Sequence, residues 1–189
     1  MPEIYVFSGC NGSGKTTLAT KFLSTLDNEI EFVNADIIAA QLNPDDVDSA
    51  AIQASRIMLK RLDDLAQENL DFAFETTLAA RTFAPFLRNC KAQGYTINLI
   101  YIWLSSPELA ISRVARRVAS GGHDIPQDTI VRRYERGRRN FFELYMAIAD
   151  NFQVYDNSQN ESNLISYRSS PNPRITVLNS DIWNQIIGN

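Results

Sequence analysis

The sequence predicts a three-layer α/β fold on a parallel sheet, with an arginine-rich helical lid, and three observations carry that prediction. Short apolar, β-prone runs alternate with segments of helical periodicity along most of the 189 residues, the pattern of repeated strand–helix–strand units. Residues 95–104 read as one apolar strand, as expected at the centre of a parallel sheet whose two faces are both covered. The first apolar run leads directly into Gly9-Cys10-Asn11-Gly12-Ser13-Gly14-Lys15-Thr16, which fills every fixed position of G-x-x-x-x-G-K-[ST].

Ile4-Tyr5-Val6-Phe7 places a strand at 3–8. Leu18, Phe22, Leu23 and Leu26 recur at helical spacing, so a helix follows the loop to about Leu26. Glu31-Phe32-Val33-Asn34 reads as a second strand, and Ile37-Ile38-Ala39-Ala40 as a helical turn. Asp45 or Asp46 caps a long helix that reaches about Asn69. Phe72-Ala73-Phe74 is a buried third strand ending at Glu75. A helix over 82–93 is stopped by Gly94. Beyond strand 95–104, Ser105 or Ser106 caps a helix with Pro107 in its first turn and Glu108 near the positive end of its dipole. Gly121-Gly122 breaks that helix, and a second runs from near Pro126 to about Asp150. Residues 152–155 form another strand. The segment 158–173 looks loop-rich, 175–178 reads as a strand, and Asp181 caps a short final helix.

Composition narrows the function classes. With 44% hydrophobic residues the chain can bury a sizeable core, yet no stretch approaches the roughly 20 apolar residues of a membrane span. Its start enters a strand at once, with no sign of a leader. Cys10 and Cys90 make no disulfide framework, which fits a cytoplasmic protein. Cys10 reads as a small filler, not a nucleophile. The net charge of −4 hides an asymmetry: residues 113–139 carry eight arginines, no lysine and three acids. A nucleic-acid binder would usually be basic overall. A block of arginines beside a phosphate loop points instead to a clamp on small anionic ligands.

The loop motif dictates phosphate chemistry. Its glycines let backbone N–H groups turn inward around a phosphate chain, and the helix behind it adds its positive end. Gly9, Cys10, Asn11, Gly12, Ser13, Gly14, Lys15, Thr16 and Thr17 form the expected ATP site, with Lys15 on the β- and γ-phosphates and the Thr16 hydroxyl on Mg²⁺. Gly9, Asp36, Glu75 and Ser105 each follow a strand and should share one crevice. Asp36 is placed to act as general base toward an incoming hydroxyl, or to cap the helical turn after it. Glu75 and Thr77 suit contacts to acceptor hydroxyls or amides, or else mark the start of the next element. Arg81 suits a ligand contact and a surface charge equally.

Arg113, Arg116 and Arg117 share one helix face, and Arg132, Arg133, Arg136 and Arg139 make a stripe on the next helix, whose other side is apolar (Ile130, Tyr134, Phe141, Tyr145, Ile148). Two such helices around 121–126 describe a lid that closes on triphosphate, or a solvated basic face with pairs such as Arg132–Glu135. His123, the one histidine, has no partners for a zinc site and sits where a substrate contact or a structural hydrogen bond would serve.

The loop motif, Asn34-Ala35-Asp36 with Leu42-Asn43-Pro44, Phe74-Glu75-Thr76-Thr77-Leu78, and 121–126 with Arg132-Arg133-Tyr134 together resemble the zeta toxin family, in particular its short Gram-negative-type members. The resemblance spans residues 3–157. It implies a phosphate-loop kinase core over 1–157 that includes the lid at 113–139, with 158–189 as an extension packed on the same domain. It further implies ATP- and Mg²⁺-dependent phosphorylation of the 3′-hydroxyl of UDP-N-acetylglucosamine, with Lys15 and Thr16 on ATP and the metal, and Asp36 as base. Glu75 and Thr77 would face the amino-sugar nucleotide, and Arg113 or Arg117 the transferred phosphoryl group. A separate antitoxin chain would be its protein partner. Where longer toxins carry Glu-Gly-Thr-Gly-Arg after the third strand, this chain has Glu75-Thr76-Thr77-Leu78-Ala79, with Arg81 as the nearest arginine. The residues alone leave open a kinase for another small alcohol and a non-catalytic ATP-binding protein. They favour neither a membrane nor a nucleic-acid partner.

Overall fold

In the computed structural model, which describes residues 1–26, 29–159 and 161–188, β1 (Glu3–Ser8) passes through the glycine loop into α1 (Lys15–Leu23). β2 (Glu31–Val33) leads into α2 (Ala35–Leu42), and the long α3 (Val47–Gln67) returns to β3 (Phe72–Thr76). α4 (Phe83–Ala92), β4 (Thr96–Trp103), α5 (Pro107–Ala119) and α6 (Gln127–Asn140) follow. α6 runs on through a π-helical turn (Phe141–Tyr145) into α7 (Met146–Ile148). The chain finishes with β5 (Asn151–Asp156), β6 (Asn163–Arg168), β7 (Thr176–Val177) and α8 (Ser180–Ile187).

The strands form one sheet in the order β2-β3-β1-β4-β5-β6-β7. The first five pair in parallel and the last two antiparallel. β1 lies between β3 and β4 because it has no polar face: Ile4, Val6 and Phe7 are fully buried. Helices cover both sides. One core joins Met58, Leu62 and Leu65 of α3 and Leu87 of α4 to Phe72, Phe74, Ile97 and Leu99, and includes Phe141 and Tyr145 of the π turn. The opposite side packs Phe7, Ala73, Ile100 and Ile102 against Leu18, Ala19 and Phe22 of α1. This is the three-layer α/β architecture that the strand–helix alternation predicts.

Several boundaries differ from expectation for identifiable reasons. α2 is a full helix because Asn34 caps it, its side chain accepting from the N–H of Asp36 and Ile37. Asp36 therefore lies inside the first turn and is not the cap. Asp46, not Asp45, caps α3, and Ser106, not Ser105, caps α5. The final helix takes Asn179 as its cap, with Asp181 in the first turn. The helix expected to reach Asp150 ends at Ile148 after its π turn. The segment expected to be loop holds β6, whose Ile165 and Ser166 are buried against β5.

Helix α6 also holds the loop after β3. Asn140 Nδ2 donates to the carbonyls of Leu78 (2.7 Å) and Ala79 (3.2 Å), and Tyr145 Oη donates to that of Ala80 (2.8 Å). Such close packing requires a glycine at 137, where a Cβ would lie 2.4 Å from the Thr77 carbonyl oxygen. Gly137→Ala is therefore expected to lower folding stability by about 1–3 kcal/mol, the usual cost of overpacking, seen as a lower denaturant midpoint at unchanged m. A wild-type midpoint would mean that helix and loop separate at no cost.

Candidate active site

The carboxyl ends of β1, β2 and β3 open on a crevice of about 440 Å³, whose lining includes Asn11, Lys15, Asn34, Asp36, Glu75, Thr77, His123 and Arg133. The register explains the grouping: Phe7 pairs with Glu75 and Ser8 with Thr76, so the end of β3 lies beside the start of the glycine loop. Lys15, only 7% exposed, donates to the Cys10 carbonyl at 2.9 Å and stands 3.5 Å from Glu75 Oε1. Glu75 Oε2 accepts from the Thr16 hydroxyl (2.7 Å) and from Asn34 Nδ2 (3.0 Å). Asn34 thus caps α2 with its oxygen and holds Glu75 with its nitrogen. The buried Lys15–Glu75 pair is costly to break from one side, because the remaining charge would be left without a partner.

Asp36 is exposed at the mouth of the crevice. Its carboxylate acts on Arg133 across the opening: burial pushes the Arg133 pKa down and Asp36 opposes that shift. Arg133 donates to Asn11 Oδ1 of the glycine loop at 3.2 Å. Val47, Ala51, Met58 and Leu59 of α3 and Phe83 give the crevice a mostly apolar wall, to which Ser55 adds a hydroxyl. Burial pushes the Cys10 thiol up to about 11, so it stays protonated at neutral pH, consistent with a filler and not a nucleophile.

On the other side of the loop lies a second, larger cavity of about 1020 Å³, lined by Gly14, Thr17, Leu18, Phe22, Arg113, Arg116, Asn157 and Ser158 among others. Gly14 and Thr17 face this side, whereas Asn11 and Lys15 face the first.

The residues fit ATP and Mg²⁺. Lys15 presents its ammonium in the lining of the first crevice, and Gly14 and Thr17 line the second, so the loop offers donors along a path that a phosphate chain can follow. The Thr16 hydroxyl and the Glu75 carboxylate bring two hard oxygen donors together, the ligand type that Mg²⁺ takes. Among the described residues there is no cluster of three or more His, Cys, Asp or Glu side chains able to hold a metal by themselves. No helix among them is long and apolar enough to cross a membrane.

The structure distributes the other expected site residues unevenly. Asp36, Glu75, Thr77 and His123 line the first crevice with Lys15. Glu75, expected on the acceptor, is held at the phosphate end by Lys15, Thr16 and Asn34. Arg81 lies away from that lining and pairs with Glu143 at 3.9 Å on the surface. Arg113 donates to the Ser158 and Gln159 carbonyls at 3.3 Å on the second cavity. Arg117 donates to the His123 carbonyl at 2.9 Å, closing the turn between α5 and α6. Ser105 also faces the second side, its N–H donating to Ser158 Oγ. Arg132 donates to Thr129 Oγ1, and Arg138 to the Ile186 carbonyl at the end of α8. Asn34 and Arg133 line the crevice as well, with Ser55, Thr76 and Thr82, although the sequence pattern gave none of them an individual role in the site. For Asn34 the signal was present, as an Asn at a strand end before a helical turn. For Arg133 there was none, since the helical repeat gives Arg132, Arg133 and Arg136 equal standing.

The family model described as Zeta toxin matches residues 1–169. A protein of Haemophilus influenzae, described only as uncharacterized, is 32% identical over 129 residues, 68% of this chain and 89% of that one. Among solved structures, the PezAT chromosomal toxin–antitoxin system of Streptococcus pneumoniae superposes with a TM-score of 0.67 at 19% identity, covering 100% of this chain and 79% of that chain. The complex AvrRxo1-ORF1:-ORF2 with ATP superposes with a TM-score of 0.77 at 15% identity, covering 98% of this chain and 63% of that chain. At these identities the structural likeness shows the fold.

The crevice singles out Arg133 among the eight lid arginines. Arg133→Ala is expected to lower transfer of the terminal phosphate of ATP by roughly 10²-fold or more, the usual scale for a preorganised charge-stabilising donor. Arg133→Lys should restore little, because a point charge cannot reproduce the guanidinium fork. Initial rates under saturating ATP decide it. Loss of turnover in Arg117→Ala with normal rates in Arg133→Ala would place the phosphoryl contact on α5 instead.

Proposed function

This chain belongs to the zeta toxin family of phosphate-loop kinases, and on that footing we propose that it transfers the γ-phosphoryl group of ATP to a hydroxyl of UDP-N-acetylglucosamine or a related nucleotide sugar. Its fold and family make it an ATP-dependent phosphotransferase. The observation that carries the mechanism is the sharing of one crevice by Lys15, Arg133 and Asp36. Phosphoryl transfer asks for positioning and charge stabilisation more than covalent help. The loop and Lys15 hold the triphosphate, and Thr16 with Glu75 would hold Mg²⁺, which when bound neutralises charge on the phosphate oxygens.

The acceptor enters beside Asp36 and Thr77. As its hydroxyl oxygen bonds to the γ-phosphorus, its proton passes to the Asp36 carboxylate and the bond from that phosphorus to the β–γ bridging oxygen breaks, leaving ADP. Arg133 faces the oxygens that carry the moving charge. Asp36 is exposed at the mouth of the crevice, where an incoming hydroxyl would meet it.

The apolar wall of α3 and Phe83 favours a second reading, in which the acceptor is another small alcohol with an apolar portion. The same phosphate chemistry serves either substrate. The description of the Streptococcus pneumoniae neighbour as a toxin–antitoxin system supports an antitoxin as protein partner, and work in the cytoplasm, where ATP is plentiful, fits the kinase reading.

ATP consumption against a panel of UDP-sugars, nucleosides and free sugars, with products mapped by mass spectrometry, tests the acceptor. Phosphorylated UDP-N-acetylglucosamine is expected. Robust transfer to a different alcohol with none to any UDP-sugar would overturn that acceptor and establish the second reading. On whichever acceptor is used, Asp36→Asn is expected to lower kcat by roughly 10²–10⁴-fold, the usual worth of a general base. ATP affinity and melting temperature should stay near wild type, because Asn34 and not Asp36 caps α2. A stable variant with normal turnover would remove Asp36 from the chemistry.

A further inference from the structure

The turn that follows β5 is tied to the glycine loop through one side chain. Asn157 is anchored by its own backbone, its N–H donating to the Trp103 carbonyl at 3.0 Å at the end of β4. Its Nδ2 donates to the Ser13 carbonyl at 2.8 Å, and its Oδ1 accepts from the Ser162 hydroxyl at 2.7 Å. The Ser13 carbonyl, which can only accept, fixes which end of the amide faces the loop, and the Ser162 hydroxyl holds the other end. The turn itself is built on the buried carboxylate of Asp156, whose Oδ1 accepts from both the N–H and the hydroxyl of Ser158. Arg113 braces it from α5 through the Ser158 and Gln159 carbonyls.

The Ser13 carbonyl and the Gly14 N–H belong to one trans peptide unit, so they point in opposite directions. A carbonyl held outward against Asn157 turns the Gly14 N–H the other way. Gly14 itself has φ +89, in the left-handed region, where a glycine lets the preceding peptide rotate with little steric penalty. The glycine is also what admits Asn157: a Cβ at 14 would lie 2.6 Å from Asn157 Nδ2. The permissive residue that allows the approach is thus also the one whose peptide most needs holding.

We propose that Asn157 is a positioning residue for phosphate binding, locking the Ser13–Gly14 peptide in the orientation that presents the Gly14 N–H to the triphosphate. It makes this contribution through the loop and not by touching the base or sugar of the nucleotide, although it borders the second cavity. The proposal rests on the reading of the loop as the ATP phosphate site.

Isothermal titration with Mg²⁺ and inorganic tripolyphosphate, and separately with Mg²⁺ and ATP, distinguishes a loop effect from a nucleoside contact without requiring an acceptor or turnover. Loss of one hydrogen bond that orients a binding group is worth about fivefold to tenfold in affinity. Asn157→Ala should weaken tripolyphosphate and ATP by that same factor. Ser162→Ala, which frees only the far end of the amide, should weaken both by a smaller factor at unchanged melting temperature, and it carries the test if Asn157→Ala unfolds. Unchanged tripolyphosphate affinity in a folded variant overturns the proposal, and a loss confined to ATP makes Asn157 a nucleoside contact. Wild-type protein that binds neither probe fails the kinase reading itself, and the proposal with it.

Discussion

The pairing of β1 with β3 is the constraint on which the site depends. With Phe7 opposite Glu75 and Ser8 opposite Thr76, Glu75 enters the crevice beside the start of the glycine loop. A slip of one residue would send Glu75 to the other face of the sheet, away from Lys15 and Thr16. The register is secured by burial, since Ile4, Val6, Phe7, Phe72, Ala73 and Phe74 have no exposed face to offer. Parallel strands also all end on the same side, so β2 brings Asn34 and Asp36 to the same edge. The catalytic geometry is thus a consequence of apolar packing well below it.

Much of this was legible because strand ends and loop chemistry leave marks in sequence. Gly9 to Thr16, Asp36, Glu75 and Thr77 sit where short apolar runs stop, and the parallel sheet gathers such stops in one place. What could not be read were choices among equivalent residues. Arg113, Arg117 and Arg133 are the same chemistry on two helices, and only tertiary packing decides that one meets the glycine loop, one the turn after β5 and one the hinge carbonyl of His123. Asn34 reads in sequence as the end of the second strand and Asp36 as the candidate cap, whereas the backbone at the end of β2 makes Asn34 the cap. β6 was hidden because Asn163-Leu164-Ile165-Ser166-Tyr167-Arg168 lies among Ser, Asn and Pro, and its strand character comes from pairing with β5 rather than from its own periodicity. The π turn at Phe141–Tyr145 has no local signature at all. It brings Phe141 into the core, stacked on Tyr101 at 4.4 Å between ring centroids.

The glycine loop divides two cavities of different character. The smaller has a carboxylate, an arginine and an apolar wall, and under the proposed reaction it would take the acceptor. The larger collects Leu18, Phe22, Leu109 and Tyr155 with Arg113, Arg116 and the polar residues Asn157, Ser158, Glu161 and Ser162. A triphosphate held by the loop would run between them, with its reacting end toward Asp36. The division gives the two substrates separate walls, so acceptor selection can change through α3 and the loop after β3 while the donor side stays fixed. Thr76-Thr77-Leu78-Ala79, where the chain departs from the sequence of the longer toxins, lies on the side that the proposed reaction would give to the acceptor.

Helix α6 is the element that keeps the two sides in register. Its middle sends Arg133 to Asn11 of the glycine loop, while its end and the π turn hold the carbonyls of Leu78, Ala79 and Ala80. The glycine loop and the loop after β3 are therefore both fixed to one helix, and their separation is set by the helical rise between Arg133 and Asn140 and not by two flexible segments finding each other. A reaction governed by approach distance and alignment benefits directly from that arrangement. The far face of the same helix is tied to the chain's last helix, with Arg138 on the Ile186 carbonyl and Phe142 against Trp183 at 5.7 Å. The C-terminal segment thus braces the helix that spans the site, which ties residues with no chemistry of their own to the geometry of phosphoryl transfer.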